Sequence, residues 1–304
     1  MALPLKKIIV CLDYSGKDQE IIENACAISK IAGTNEIIFL NVIKDFHLPD
    51  QMLKEFPDLL DKAIEERKKE LSGLVENHIN PAIKKRLIVR QGSITKEILS
   101  VASEVKSDLI ILGRNDDSNS VLSTRIARRS PCNLLLLPQN YKLKFDKVLI
   151  PVDFSDYSEL SLKRTLSLTE KSESTVYLHN VITVPSSYRY SGKSHDEFAE
   201  IIKGHSQKDI DILIKKSKLK SQKLVPLFTV GHGENVIDLI YSESKKKKVD
   251  LIVMGAKGRS SASAIFIGSK AERMIRVNHK IPVMIIRKKG AMAGILETLK
   301  EKLD

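Results

Sequence analysis

The chain runs to 304 residues, long enough for two ordinary domains that each bury a core. Hydrophobic residues at 42% and charged residues at 29% exclude a disordered or fibrous chain, and no apolar run reaches the roughly 20 residues that cross a bilayer. The net charge of +12 lies almost wholly in the second half, in runs such as residues 245–248. Such runs predict solvated helix ends and loops, with a polyanion-binding surface as the alternative.

Taken in chain order, short β-branched runs alternate with longer helical patterns. Strands are predicted near 7–12, 36–43, 86–91, 108–113 and 133–137, with helices near 17–32, 53–78, 94–106 and 121–130. A second set of strands follows near 147–152, 174–182, 223–230, 250–255 and 283–287, again with helices between. The first strand starts directly after Met1 to Lys6, which predicts no signal peptide and a cytoplasmic chain. Near-continuous apolar strands such as 109–112 imply parallel sheets covered on both faces.

The two sets are copies of one unit. Lys7 to Ser15 matches Lys147 to Ser155, Phe39-Leu-Asn-Val42 matches His179-Asn-Val181, and Asp108 to Gly113 matches Asp250 to Gly255. Landmarks in one order at a nearly constant offset predict a duplicated domain rather than short repeats. The fold class expected is α/β, two tandem doubly wound parallel-sheet domains. Boundaries fall at 1–139 and 145–290, joined by a linker near 138–144. A helical tail, 291–304, follows, with Ile295, Leu296, Leu299 and Leu303 on one face.

The motif that carries chemistry stands in the second copy. The apolar run 251–254, ending in Met254, leads into Gly255-Ala-Lys257-Gly258, and nine residues later come Gly268, Ser269 and Lys270. A strand that ends in glycines and feeds a helix start can seat phosphates, because the backbone approaches closely and free first-turn N–H groups face the anion. Lys257, Arg259 and Lys270 are the cations available there. In doubly wound sheets ligands bind beyond the carboxyl ends of the strands, where strand order reverses. Asp153 closes the first strand of the copy and would face the same crevice, able to accept hydrogen bonds from hydroxyl or amino groups.

The pattern resembles the universal stress protein family in its tandem form, over nearly the whole chain. The marker Gly-x2-Gly-x9-Gly-Ser is reproduced by Gly255, Gly258, Gly268 and Ser269, and Pro151-Val152-Asp153-Phe154-Ser155 stands where the family's Pro-Val-Asp-x-Ser is found. The resemblance implies an adenine-nucleotide alpha hydrolase-like fold with strand order 3-2-1-4-5. It also implies ATP or a related adenine nucleotide as ligand, with Mg or Mn bound through the phosphates and the adenine touching backbone at Val181. Assembly through the last strands is implied too, as an intrachain pseudo-dimer of the two domains or a homo-oligomer. The role implied is a regulatory stress-response protein rather than an enzyme.

The first copy departs from the marker. Gly113 is kept, but Asp116 and Asp117 follow where glycine is expected, Ser120-Val121 replaces Gly-Ser, and Cys11 replaces the proline. Acidic residues in the loop oppose a triphosphate, so this copy is expected to be mainly a structural partner.

Other signals are weaker. Gly192-Lys193-Ser194 ends like a P-loop but lacks the upstream glycine and strand. Gly231 and Gly233 shape a turn, with His232 at the crevice rim. Asp153, Ser155 and His179 lack any Gly-x-Ser-x-Gly elbow that would make them a triad. Cys11, Cys26 and Cys132 read as reduced core residues, and the seven histidines show no ligand spacing, so no metal site of protein groups alone is expected. The competing functions are a slow ATPase or nucleotidyl transferase, and a basic-surface adaptor for nucleic acid or an acidic partner. The second is weakened by 5% aromatics without Trp.

Overall fold

The computed structural model describes residues 4–44, 54–76, 83–114, 120–217, 223–258 and 267–288. These fall into two compact units, 4–142 and 143–288. The first is built from β1 (Lys7–Leu12), α1 (Asp18–Ala32), β2 (Glu36–Ile43), α2 (Leu59–Glu76), β3 (Lys84–Gln91), α3 (Ile94–Glu104), β4 (Leu109–Arg114), α4 (Ser120–Arg129) and β5 (Asn133–Pro138). Its strands lie in the order β3-β2-β1-β4-β5, all parallel. Ile8, Ile9 and Val10 on β1 and 109–111 on β4 are fully buried, as strands covered by helices on both faces must be.

The second unit repeats this with β6 (Lys147–Pro151), α5 (Asp156–Leu168), β7 (Thr175–Thr183), α6 (His195–Ser217), β8 (Lys223–Gly231), α7 (Val236–Lys246), β9 (Leu251–Gly255), α8 (Ser269–Val277) and β10 (Val283–Ile286). Its order is β8-β7-β6-β9-β10, which is 3-2-1-4-5 in the count of the repeat. In each unit the chain reverses direction across the sheet beside the first strand, which opens a crevice at the carboxyl ends. Pro226 sits inside β8, the edge strand of this unit's order, where a missing N–H is tolerated.

The duplication reaches individual hydrogen bonds. The Lys7 N–H donates to Asp108 Oδ2 at 3.0 Å, and the Lys147 N–H donates to Asp250 Oδ2 at 2.8 Å. The amide of Asn41 donates to the Leu12 carbonyl at 2.8 Å, as that of Asn180 does to the Val152 carbonyl, also at 2.8 Å. Tyr14 and Phe154, just past the first strand of each unit, hold φ of 61° and 62°.

Two expectations need correction. The helix predicted over 53–78 is interrupted: residues 54–55 are helical, Phe56 and Pro57 break the run, and the regular helix is Leu59–Glu76. Pro57 has no amide to donate and its ring pushes Phe56 out of the helical region. β3 begins two residues before the predicted 86, because Lys84 and Lys85 pair with Glu36 and Ile37 and the Glu36 carboxylate draws Arg86 to 3.2 Å. The tail 291–304, Arg259, Asp116 and Asp117 lie outside the described residues.

Candidate functional site

The second unit carries a cleft of about 640 Å3 at the carboxyl ends of β6, β7 and β9. Its walls include Pro151, Asp153, Val181, Met254, Gly255, Lys257, Gly258, Gly268, Ser269 and Lys270. Ten residues drawn from three strands, a loop and a helix start thus share one concavity. A cavity of a few hundred Å3 is the size that takes a small organic ligand.

The glycines are fixed by close approach. A Cβ on Gly258 would lie 2.5 Å from Asp153 Oδ2, and one on Gly255 would lie 2.5 Å from Tyr157 Cβ and 3.1 Å from the Lys257 carbonyl oxygen. A side chain at Gly255 would need backbone or a helix residue to move, and one at Gly258 would need the Asp153 carboxylate to move. Gly268 is the residue before α8, and its N–H donates to the Ala256 carbonyl at 2.7 Å, pinning the helix start against the loop after β9. The first-turn N–H groups of α8, from Ser269 on, have no intrahelical carbonyl to bind and open on the cleft.

Asp153 is held by the turn that follows it. Its Oδ1 accepts the Ser155 N–H at 3.1 Å, the Ser155 hydroxyl at 2.6 Å and the Ser158 hydroxyl at 2.7 Å. Ser158 Oγ accepts the Asp153 N–H in turn, at 3.0 Å, and Ser155 caps α5. Oδ2 is left on the side of Gly258. Asp153 is the one carboxylate among the described residues that line the cleft. Lys257 is buried on the facing loop, and burial first, then the charge of Arg287, lowers its pKa.

Sequence reasoning missed several residues here. Ser158 serves Asp153 from the first turn of α5, while Ile202 and Ser206 of α6 line the cleft from beyond β7. His179, set aside as a triad member, is 1% exposed, and its Nε2 lies 2.9 Å from Thr229 Oγ1. Its Nδ1 is buried without a hydrogen-bond partner, and burial lowers its pKa to about 4 against a smaller opposing effect of Glu243. That ring faces Thr229, and the serines face Asp153, so no relay joins the three. Gly192 to Ser194 is no P-loop: Gly192 follows a 3-10 turn, and Ser194 caps α6.

The first unit has a cleft of about 550 Å3 at the same place, so volume does not separate the two. Its walls carry Asp13, Glu20, Lys17, Arg67 and the buried Arg114, and the ring of Tyr14 is covered by Arg67 at 4.0 Å.

A doubly wound unit, present twice and carrying a cleft at the switch point of its sheet, defines a tandem α/β class of fold. The model of the universal stress protein family matches residues 4–138 and again 144–287, and the chain belongs to that family. Universal stress protein MJ0531 of Methanocaldococcus jannaschii is 30% identical over 145 residues, 47% of this chain and 83% of that protein. A universal stress protein from Archaeoglobus fulgidus superposes over 94% of this chain and 98% of its own, with TM-score 0.64 and 18% identity. A further one from Pseudomonas aeruginosa covers 97% and 98%, with TM-score 0.63 and 14% identity. At these identities the superpositions speak to fold alone. No helix among the described residues is long and apolar enough to cross a membrane.

Proposed function

We propose that the chain is an adenine-nucleotide-binding regulatory protein and that the nucleotide occupies the cleft of the second unit. The observation that carries this reading is the close approach of Tyr157 and the Lys257 carbonyl to Gly255 and of the Asp153 carboxylate to Gly258, beside uncapped N–H groups at the start of α8. A phosphate tail held there gains the helix dipole, Lys257 and Lys270. Pro151, Asp153 and the backbone at Val181 line the cleft from the ends of β6 and β7, where ribose and base would lie, and the Asp153 carboxylate also reaches Gly258. A divalent ion, Mg or Mn, would be held by the phosphates, with Asp153 as the one carboxylate lining that cleft among the described residues. It would neutralise phosphate charge, which the two lysines do in part.

The role is binding rather than turnover. Asp153 Oδ1 is committed to serines that shape its own turn, and the buried His179 is bonded to Thr229, so neither is arranged as a base toward a phosphate. Occupancy would then follow nucleotide concentration and bias the protein's contact with a partner. Calorimetric titration of the full chain with ATP tests this. Gly258→Glu is expected to weaken binding at least ~100-fold, equal to about 2.7 kcal/mol, while melting shows a folded chain. An unchanged affinity would overturn the placement. Prolonged incubation with labelled ATP checks the role, and steady turnover abolished by Asp153→Ala would replace binding by slow hydrolysis.

A further inference from the structure

Two imidazoles and a carboxylate meet on the surface of the second unit, away from the glycine loop. His195 and Asp196 are the first two residues of α6, and His232 lies in the loop between β8 and α7. One ligand atom from each lies within 4.8 Å of the others, although His195 and His232 are far apart in the chain. His195 Nδ1 is 3.3 Å from Asp196 Oδ1, and the two imidazole centroids are 4.7 Å apart with the rings tilted by 33°. Metal–nitrogen and metal–oxygen bonds of ~2.0–2.1 Å arranged as a tetrahedron place neighbouring ligand atoms about 3.4 Å apart. The first pair already stands at that spacing, and the rest closes by rotation of a mostly exposed His232.

Each side chain is placed by defined local structure. Ser194 and Glu197 form a reciprocal cap: the Ser194 N–H donates to Glu197 Oε2 at 2.7 Å, and the Glu197 N–H donates to Ser194 Oγ at 3.2 Å. That cap fixes where α6 starts and so where His195 and Asp196 stand. Tyr188 packs edge-on against the His195 ring, with centroids 5.6 Å apart. On the other side Gly233 takes φ of 114°, and the His232 N–H donates to Glu234 Oε2 at 2.7 Å, which fixes the loop that presents His232.

We infer that His195, Asp196 and His232 form a binding site for a divalent transition-metal ion of the zinc class. Two imidazole nitrogens and one carboxylate oxygen suit Zn2+ or Co2+ rather than Mg2+, which demands oxygen ligands, and the fourth position stays open to water. α6 also lends Ile202 to the cleft, and α7, just past Glu234, lends Val236. The ion therefore clips together two segments that wall the cleft on one side. The inference does not rest on nucleotide binding.

The test uses the full chain without an affinity tag, stripped of metal and nucleotide, titrated with Co2+ and followed by visible ligand-field absorption. One equivalent is expected to bind with an intense tetrahedral spectrum, to be displaced by Zn2+ and not by Mg2+, and to raise the melting temperature. His195→Ala and His232→Ala should each weaken Co2+ at least ~100-fold, beyond the 10–100-fold cost of losing an outer-shell partner. Their metal-free melting should match wild type, and His195→Gln and His232→Gln replace them if either alanine variant misfolds. Absence of uptake by wild type, or wild-type affinity in either histidine variant, overturns the site.

Discussion

The two units share one turn at the end of their first strand, and it differs in charge at three places: Gly16, Lys17 and Asp18 stand where the second unit has Asp156, Tyr157 and Ser158. In the first unit Asp18 occupies the place of Ser158: its carboxylate accepts the Asp13 N–H at 3.2 Å and the Tyr14 N–H at 2.9 Å. In the second, Ser158 accepts the Asp153 N–H and returns a hydrogen bond to the same carboxylate. Burial pushes the Asp18 carboxyl up, against the two backbone bonds, and the neighbouring charge of Asp13 adds to the rise. The same backbone is thus stabilised by a second anion in one unit and by a neutral hydroxyl in the other. A fold that tolerates both shows that the turn needs an acceptor at this place, charged or neutral.

The largest expected effect separates the units by pH. His179 stands where the first unit has Leu40, and both are buried. With a folded pKa of about 4 against an ordinary value of 6.5, the unfolded chain takes up a proton that the folded chain refuses. The neutral ring's full contribution holds above pH ~6.5 and drains away as pH falls toward ~4, by roughly 3 kcal/mol in total. His179→Leu should remove that loss, so that denaturant midpoints at pH 5 and pH 7 converge by about 2 kcal/mol. At pH 7 the variant leaves Thr229 without its ring partner and is expected to be less stable by ~1 kcal/mol. Equal acid sensitivity in wild type and variant would place the titrating group elsewhere.

Next come the glycines that end the fourth strands. A Cβ on Gly255 meets Tyr157 Cβ at 2.5 Å and the Lys257 carbonyl at 3.1 Å, whereas one on Gly113 meets only the methyl end of Ile21. Gly255→Ala must displace backbone or a helix and should cost about 1–3 kcal/mol in urea denaturation, with weaker ATP binding. Gly113→Ala is expected to cost under ~1 kcal/mol, because a rotamer of Ile21 absorbs the contact. Equal costs would mean that both turns are equally crowded and would remove the steric distinction between the clefts.

Much of this was legible in the sequence, for a physical reason. Strands buried on both faces must be apolar without interruption, so both copies could be read from runs such as 109–112, and the offset between them gave the tandem. The glycine spacing and Asp153 led to one cleft because strand ends and helix starts in this topology converge. What escaped depends on contacts that spacing does not encode. Ser158 and Asp18 look alike as helix-start polar residues, and their difference appears only when each is seen beside its strand-end aspartate. His195 and His232 come together through a helix cap and a glycine loop, so ligand spacing along the chain could not show them. The break at Pro57 was visible in principle, but the amphipathic pattern on either side of it read as one helix.

The smallest effect expected is also the most direct exchange between the units. Ser158→Asp places a carboxylate where the hydroxyl now donates to Asp153 Oδ1 at 2.7 Å. Two carboxylates at that distance repel by several kcal/mol even at an effective dielectric near ~20, but a shared proton or a turned rotamer relieves most of it. The remaining negative potential would face the phosphates of the proposed nucleotide, and ATP affinity should fall about tenfold, with the loss shrinking at acidic pH as the pair takes up a proton. The reverse exchange, Asp18→Ser, keeps an acceptor for one of the two N–H groups and should cost the first unit about 1 kcal/mol. If Ser158→Asp binds ATP as wild type does across that pH range, charge at this turn does not decide which unit takes an anion. The distinction would then pass to the glycine positions alone, where a methyl group on Gly255 meets backbone and Tyr157 Cβ while one on Gly113 needs only a side-chain rotation.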